Sequence, residues 1–183
     1  MDIKSLHHVA YRCKDAKQTA DFYTRVLGLE YAMAVSEDRV PSTGEQHPYM
    51  HIFFRMDDGS YVAFFELPES PAMGRDENTP LWVQHLALRV PDEATLMRNK
   101  ARIESHGVEV LGPVDHGICK SIYFFDPNGH RLELAVDTMT PEMKRKLAGV
   151  SEAMLEEWTR TKKAPHHADW VHQKTVAKRS EKP

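Results

Sequence analysis

Two histidines and one glutamate stand in this sequence where they could hold a metal ion. His8 and His85 each begin an apolar segment, and Glu133 stands between two leucines in the stretch SIYFFDPNGHRLEL. Two imidazoles and one carboxylate form a facial triad on a divalent metal and leave coordination positions open. Strand alternation decides only which face a side chain takes, so Glu133 could equally be an ordinary surface carboxylate.

The sequence repeats itself around the two histidines. HVAYRCKDAKQTADFYTRVLGLEY, from His8, resembles HLALRVPDEATLMRNKARIESHGVEV, from His85. Each copy has an arginine four residues after its histidine and an aspartate, Asp15 or Asp92, seven residues after it. A helical pattern that ends near a glycine then follows, and the aspartates are placed to cap the two helices. The repeat predicts that His8 and His85 hold equivalent positions in two similar modules.

The same pattern predicts the strands of both modules. Apolar runs separated by turn residues predict strands at 6–12, 29–35, 49–56 and 61–67, then at 82–90, 108–111, 121–125 and 131–136. Both copies therefore have the order β-α-β-β-β. We predict an α+β fold in which two tandem modules, about 5–67 and 82–137, form one domain over residues 1–137 with a cup-shaped sheet. The polar stretch 36–48 is predicted to be a long loop that could cover a site.

Residues 138–183 differ from the rest in pattern and in charge. Thr140 and Pro141 predict the start of an amphipathic helix, whose apolar stripe consists of Met143, Leu147, Val150, Met154 and Trp158. This stripe is expected to dock on the body of the protein or on a partner subunit, which favours a homodimer. From Thr138 onward there are ten Lys/Arg and six Asp/Glu, so this basic tail contrasts with an acidic body.

Composition restricts the function classes. With 28% charged residues and a net charge of −3, the 183-residue chain is not expected to bind nucleic acid. No apolar run approaches the roughly 20 residues that span a bilayer, and the first residues lack a secretory signal, so we expect a cytoplasmic protein with no membrane partner. Two cysteines, Cys13 and Cys119, are too few for a disulfide framework.

The chain resembles the vicinal oxygen chelate superfamily, which includes glyoxalases, bleomycin- and fosfomycin-resistance proteins and extradiol dioxygenases. The segments LHHVAYRCKD, FYTRVLGL, VQHLALRV and FFDPNGHRLEL carry the resemblance over residues 5 to about 137. It implies paired modules around one divalent metal, with His8, His85 and Glu133 as ligands. It also implies a possible fourth ligand, Glu66, although Glu66 lies farther from its turn glycine than Glu133 does.

The stretch VDHGICKSIYFFDPNGHRLE is similar to the signature of extradiol ring-cleavage dioxygenases: a histidine, five residues, an aliphatic residue, a tyrosine, then Asp-Pro-x-Gly and a glutamate. This resemblance implies that Fe(II) binds a catechol-like substrate together with O2. His116 is then the residue that moves the catechol proton, and Tyr123 donates a hydrogen bond at the metal centre. The sequence departs from two-domain extradiol enzymes because it lacks a further acid–base histidine shortly before His85.

Three functions remain open. The first is a ferrous extradiol-type dioxygenase, whose partners are a small aromatic substrate and O2. The second is a glyoxalase-like lyase or isomerase that uses His8, Glu66, His85 and Glu133 around Ni, Zn or Co to act on a 2-oxo-aldehyde hemithioacetal; Mn is a further possible metal. The third is a non-catalytic binding or resistance protein on the same fold.

Overall fold

A computed structural model describes residues 2–172. The helices and strands, in chain order, are β1 (His8–Cys13), α1 (Ala16–Asp21), β2 (Glu30–Arg39), β3 (Gln46–Arg55), β4 (Tyr61–Glu66), β5 (Leu86–Arg89), α2 (Glu93–Ser105), β6 (Leu111–Asp115), β7 (Cys119–Phe125), β8 (Arg131–Asp137) and α3 (Pro141–Thr161). A π-helical turn, Phe22–Val26, continues α1, and a 3₁₀ turn, Asp169–Val171, follows α3.

The eight strands form two four-stranded sheets with the same connectivity. The strand order is β1-β4-β3-β2 in the first sheet and β5-β8-β7-β6 in the second. In the first sheet β1 is parallel to β4, and the β3–β4 and β2–β3 pairs are antiparallel. The predicted α+β fold with two tandem βαβββ modules and a C-terminal helix is therefore confirmed.

The chain divides into two compact units. The first comprises the described part of Met1–Leu86 with Ala101–Glu109 and Phe124–Leu132, and the second comprises Ala87–Lys100, Val110–Tyr123 and the described part of Glu133–Pro183. The first unit thus holds the whole first sheet together with the β7–β8 turn. The second unit holds most of the second sheet and α3.

An aromatic cluster fills the core of the first unit. Tyr23, Phe54 and Phe64 are fully buried, and the Tyr23 ring lies 5.0 Å from that of Phe54 and 4.8 Å from that of Phe64, centroid to centroid. Burial of each such side chain contributes about 2–3 kcal/mol. The predicted cap is confirmed, since the Asp15 carboxylate accepts a hydrogen bond of 2.7 Å from Gln18 N at the start of α1.

The Asp-Pro-Asn-Gly turn between β7 and β8 is tied to α1 within the first unit. Asn128 is buried, and its side-chain nitrogen donates to Thr19 Oγ1 at 3.1 Å and to Asp126 Oδ2 at 3.0 Å. Its side-chain oxygen accepts from Lys14 N at 2.9 Å. Asp126 also accepts a hydrogen bond of 3.2 Å from the Tyr23 hydroxyl. The turn sequence therefore fixes a buried polar network as well as a change of chain direction.

Helix α3 lies in the second unit and begins as predicted. The Thr140 hydroxyl accepts a hydrogen bond from Met143 N, and Pro141 is the first helical residue. The predicted stripe is half-buried as far as Met154, whereas Trp158 is exposed. The homodimer stays a prediction, and the basic tail from residue 173 onward lies outside the described residues. Within residues 2–172, no helix is long and apolar enough to cross a bilayer.

Three predicted boundaries were wrong. Residues 36–48 are mostly the ends of β2 and β3, and only a short turn joins them. β2 is an edge strand with an exposed polar end, so its side chains do not show strand alternation. The strand predicted at 82–90 begins only at Leu86, because a turn closed by Val83 N and Pro80 O precedes it. Residues 108–110 connect α2 to β6, which starts at Leu111.

Candidate functional site

A short hydrogen bond joins His116 to Tyr123 in the second unit. His116 follows β6 and Tyr123 lies on β7, and the distance from His116 Nε2 to the Tyr123 hydroxyl oxygen is 2.7 Å. The loop that holds His116 is closed by a hydrogen bond of 2.9 Å from His116 N to Cys119 O. These are the two residues that the sequence predicts to be catalytic, and the structure brings them into contact.

Tyr123 also forms a hydrogen bond with Glu133 of β8, in the same unit. Burial, and then the negative charge of Glu133, raise the pKa of the Tyr123 hydroxyl, so the phenol stays protonated at neutral pH. A carboxylate oxygen accepts the hydrogen bond of a phenol, so the phenol proton points to Glu133. The Tyr123 oxygen then accepts from His116 Nε2–H. The result is a series of two hydrogen bonds, from His116 to Tyr123 and from Tyr123 to Glu133.

Glu133 is a buried carboxylate, with 5% of its surface exposed. Burial is unusual for glutamate, and here the side chain lies beside the Tyr123 hydroxyl and near Cys119, whose thiol pKa is raised by burial and, less strongly, by the Glu133 charge. An ordinary surface carboxylate would be solvated. Strand alternation alone allowed Glu133 to be a surface carboxylate, but the burial of Glu133 is inconsistent with that role.

The two hairpins show which residue of the first module matches Glu133. The β3–β4 and β7–β8 turns are each closed by the same backbone hydrogen bond of 3.0 Å. When residues are counted from the two ends of these hydrogen bonds, Tyr123 matches Phe53 and Glu133 matches Ala63. Phe53 and Ala63 are cross-strand partners in the β3–β4 register. The first module therefore has alanine at the position where the second has its buried glutamate.

Glu66 lies on the side of the first sheet that carries α1. Its Oε2 accepts a hydrogen bond of 2.6 Å from Ala16 N, at the first residue of that helix. In the β1–β4 register Glu66 pairs with Cys13, five residues from His8, so alternation places Glu66 and His8 on opposite faces. In this position Glu66 stabilises the start of α1.

His8 is the first residue of β1 and is exposed. Its Nδ1 lies 2.8 Å from His7 Nδ1, and its ring centroid lies 6.3 Å from that of His51 on β3. Burial, and secondarily the charge of His8, lower the pKa of His51 to about 4. His51 is therefore a neutral imidazole at physiological pH.

His85 is exposed, one residue before β5, and lines a cavity of about 500 Å³ within the first unit. The Val83 carbonyl oxygen accepts a hydrogen bond of 3.1 Å from His85 Nδ1. Nδ1 is the donor in this hydrogen bond, which is the tautomer in which Nε2 is the nitrogen that binds a metal. Lys14, Arg75 and Arg131 also line this cavity.

The donor types of His8, His85 and Glu133 fit a divalent metal. His85 has the tautomer of a metal ligand, and Glu133 is a buried carboxylate with a hydrogen-bonding neighbour. His8 and His85 belong to the first unit and Glu133 to the second. Across residues 2–172, the structure gathers no group of three or more His, Cys, Asp and Glu side chains that could hold a metal ion. The ligand set therefore stays a prediction.

Sequence reasoning gave no role to two residues on the His8 face of the first sheet. They are Arg12 and His51, which lie on either side of Phe65 in the strand register. The sequence could have identified Arg12, since alternation along β1 places it on the same face as His8. The position of His51 depends on the pairing of β3 with β4, which alternation does not give.

Comparisons with known proteins identify relatives of the whole body of the chain. The model of the glyoxalase/bleomycin resistance protein/dioxygenase superfamily matches residues 5–134. A solved structure of a glyoxalase/dioxygenase from Nostoc punctiforme is 26% identical, with a TM-score of 0.55 over 75% of this chain and 94% of that one. The match covers both βαβββ modules.

Two characterised kinds of enzyme are among the relatives. Biphenyl-2,3-diol 1,2-dioxygenase 3 of Rhodococcus globerulus is 36% identical over 100 residues, which are 53% of this chain and 51% of the relative. Lactoylglutathione lyase of Pseudomonas aeruginosa is 26% identical over 161 residues, which are 76% of this chain and 86% of the relative. The chain spans only about half the length of the dioxygenases that it matches.

Proposed function

The chain belongs to the glyoxalase/bleomycin resistance protein/dioxygenase superfamily, and we propose that it is a ferrous dioxygenase of the extradiol type. Its substrates are a catechol-like aromatic and O2. The observation that carries this proposal is the hydrogen-bonded series from His116 through Tyr123 to Glu133. These residues are spaced in the sequence as in the ring-cleavage signature. Their contact is what a shared catalytic role requires.

We assign His8, His85 and Glu133 as metal ligands, with Fe(II) as the metal. When bound, Fe(II) supplies redox chemistry and open coordination positions that bring a catecholate and O2 side by side. The protein contributes two imidazoles and one buried carboxylate. Glu66 is left out of this set because its carboxylate accepts a hydrogen bond from Ala16 N.

His116 has both a ring proton and a ring lone pair, as an acid–base residue requires. Its Nε2 holds a proton in the hydrogen bond to Tyr123, so the lone pair of Nδ1 can take the proton that a catechol hydroxyl loses. Tyr123 stays protonated because burial and Glu133 raise its pKa. A neutral phenol at this place can donate a hydrogen bond, but it does not compete with the substrate for ionisation.

The test is oxygen consumption after anaerobic loading with Fe(II). We expect O2 uptake within a panel of catechol, 3-methylcatechol and 2,3-dihydroxybenzoate, together with the visible absorbance of a ring-opened product. Hydroquinone is the control, because its two hydroxyls are too far apart to chelate one metal ion. Uptake with none of the catechols would overturn the proposal.

A glyoxalase-like lyase is the second candidate. One comparison favours it, since the chain covers 86% of the Pseudomonas lactoylglutathione lyase but only about half of the dioxygenase. The contact of Glu66 with Ala16 N counts against it, because the lyase set uses Glu66 as a ligand. Turnover of the hemithioacetal of methylglyoxal and glutathione with Ni(II), without O2 uptake on catechols, would establish this alternative.

We further propose that the enzyme works in the cytoplasm as a homodimer. The reasons are the composition of the chain and the apolar stripe of α3, whose Trp158 remains exposed, as does the nearby Leu155. Light scattering coupled to gel filtration measures the mass, and about 42 kDa is expected, twice the 21.0 kDa of one chain. A mass of one chain at micromolar concentration would contradict the dimer.

A further inference from the structure

We propose that the His8 face of the first sheet carries an anion subsite, formed by Arg12 and His51, that selects aromatic substrates bearing a carboxylate. This inference deepens the proposed function, on which it rests, because it names the class of aromatic that the site accepts. All residues involved belong to the first unit.

The strand register aligns the subsite residues in one row across the sheet. Arg12 of β1 pairs with Phe65 of β4, and Phe65 pairs in turn with His51 of β3. The three side chains therefore lie on one face, with the aromatic ring in the middle. The His51 ring stacks on Phe65 at a centroid distance of 3.6 Å and an interplanar angle of 21°. This stacking fixes the orientation of the imidazole.

Each end of this row has a buried nitrogen without a hydrogen-bond partner. They are Arg12 Nε and His51 Nε2. A buried donor or acceptor that lacks a partner destabilises the folded state, so native proteins rarely leave one unsatisfied. Two such atoms on either side of one phenylalanine indicate a place where a ligand supplies the missing partners.

The guanidinium of Arg12 indicates the charge of that ligand. Its Nη2 donates a hydrogen bond of 2.6 Å to the Pro71 carbonyl oxygen, and no carboxylate in residues 2–172 pairs with it. A single carbonyl uses only one of the two N–H groups along the Nε–Nη2 edge. A carboxylate matches both, in the bidentate geometry that arginine favours. The ligand group that fits is therefore a carboxylate that displaces the Pro71 carbonyl.

The surroundings of the row suit an aromatic ring. The next row toward His8 consists of Ala10, Ala63 and Phe53, so two small side chains and a ring border the subsite. His8 and Arg12 are four residues apart on β1, about 13 Å at 3.3 Å per residue. A substituted benzoate can therefore have its carboxylate at Arg12 and its ring directed toward the predicted metal ligand His8.

The test compares benzoate with benzamide, which have the same shape but differ in charge. Dissociation constants are measured by calorimetry on the full chain, loaded with Fe(II) and kept without oxygen. We expect benzoate to bind at least about tenfold more tightly, as for a charge-assisted bidentate hydrogen bond. The Arg12→Gln variant should lose this preference. The Arg55→Gln variant should keep it, because Arg55 is an exposed residue on the same face.

His51→Phe is a second variant that keeps the stacked ring and removes Nε2. We expect it to weaken benzoate binding about twofold to tenfold, as for one neutral hydrogen bond. Equal affinity of the wild type for benzoate and benzamide would overturn the subsite, and so would a benzoate preference that persists in Arg12→Gln. Because no turnover is measured, a benzoate preference without O2 uptake on any catechol would remove the dioxygenase proposal and leave the subsite standing.

Discussion

The His116 imidazole and the Tyr123 hydroxyl form a hydrogen bond of 2.7 Å between Nε2 and the phenol oxygen. Tyr123 is in turn hydrogen-bonded to Glu133, so a metal ligand candidate and an acid–base candidate share one phenol. We expect the removal of any one of the three to affect the other two. Metal content and turnover are therefore measured together in each variant of this series.

Replacing Tyr123 with phenylalanine should slow turnover without loss of metal. The ring and its packing remain, but the hydroxyl between His116 and Glu133 is gone. We expect kcat on catechol to fall about 10- to 100-fold, with the Fe content per chain unchanged. Tyr49→Phe is the matched control on another strand. Unchanged kinetics in Tyr123→Phe would remove this residue from the mechanism.

Removal of one carboxylate should distinguish the two candidate ligand sets. Glu133→Ala is expected to lose both stoichiometric metal and activity, because one of three protein ligands is missing. Glu66→Gln is expected to keep its metal and to lose only about 1 kcal/mol of stability, since Glu66 accepts a hydrogen bond from Ala16 N. Metal analysis after gel filtration measures both. Retention of metal by Glu133→Ala would refute the triad.

The modules could be predicted from the sequence because their repeat and their periodicity are local properties. The helix caps at Asp15 and Thr140 each depend on a residue three positions away, and both are confirmed. The segment 36–48 could not be predicted in this way. At the exposed end of an edge strand, polar side chains remain in water and do not destabilise the strand. β2 therefore continues to Arg39 without the alternation of apolar and polar residues that predicts a strand.

The candidate site was predictable in its residues but not in its contacts. A motif identified His116, Tyr123 and Glu133, yet the hydrogen bonds among them depend on the β7–β8 pairing and on the loop before β7. The row of Arg12 and His51 across Phe65 depends on register in two strand pairs. Register follows from backbone hydrogen bonds between distant segments, so it cannot be inferred from the spacing of residues in a single sequence.

The buried network of the β7–β8 turn should contribute to the stability of the first unit. Asn128→Ala removes hydrogen bonds to Thr19, Asp126 and Lys14, and it leaves Thr19 with its bond to Asp15 O and Asp126 with its bond from Tyr23. We expect a loss of about 2–3 kcal/mol in urea unfolding. The control Asn78→Ala, at an exposed asparagine, should change stability by less than about 0.5 kcal/mol. Equal losses for the two variants would contradict the network.

The two cysteines should differ in reactivity. Cys13 is 1% exposed, and burial raises the pKa of its thiol to about 11, so almost none of it is thiolate at pH 8. Cys119 is partly exposed. We expect one thiol per native chain to react with Ellman's reagent and two in urea. In the Cys119→Ser variant the native reaction should disappear; if it persists, Cys13 is more accessible than the structure indicates.

Contact with the C-terminal segment should fix the loop that carries His116. Gly117 has φ +79°, and a Cβ there would clash with the Val171 carbonyl oxygen. Gly117→Ala therefore adds a steric clash to the strain of a positive φ, and we expect it to cost about 2–3 kcal/mol. Gly44→Ala is the matched control, because Gly44 has φ +75° with no atom within 4 Å of the added Cβ, so only the strain of about 1 kcal/mol remains.

The turnover rates of Gly117→Ala and Gly44→Ala test whether the contact between Gly117 and Val171 affects catalysis. Gly117 directly follows His116, so displacement of the loop should lengthen the hydrogen bond to Tyr123 and lower kcat on catechol. Gly44→Ala should leave kcat unchanged, because Gly44 lies in the β2–β3 turn. Equal stability and equal kcat in the two variants would show that the loop accommodates the methyl group. In that case Val171 would not position His116.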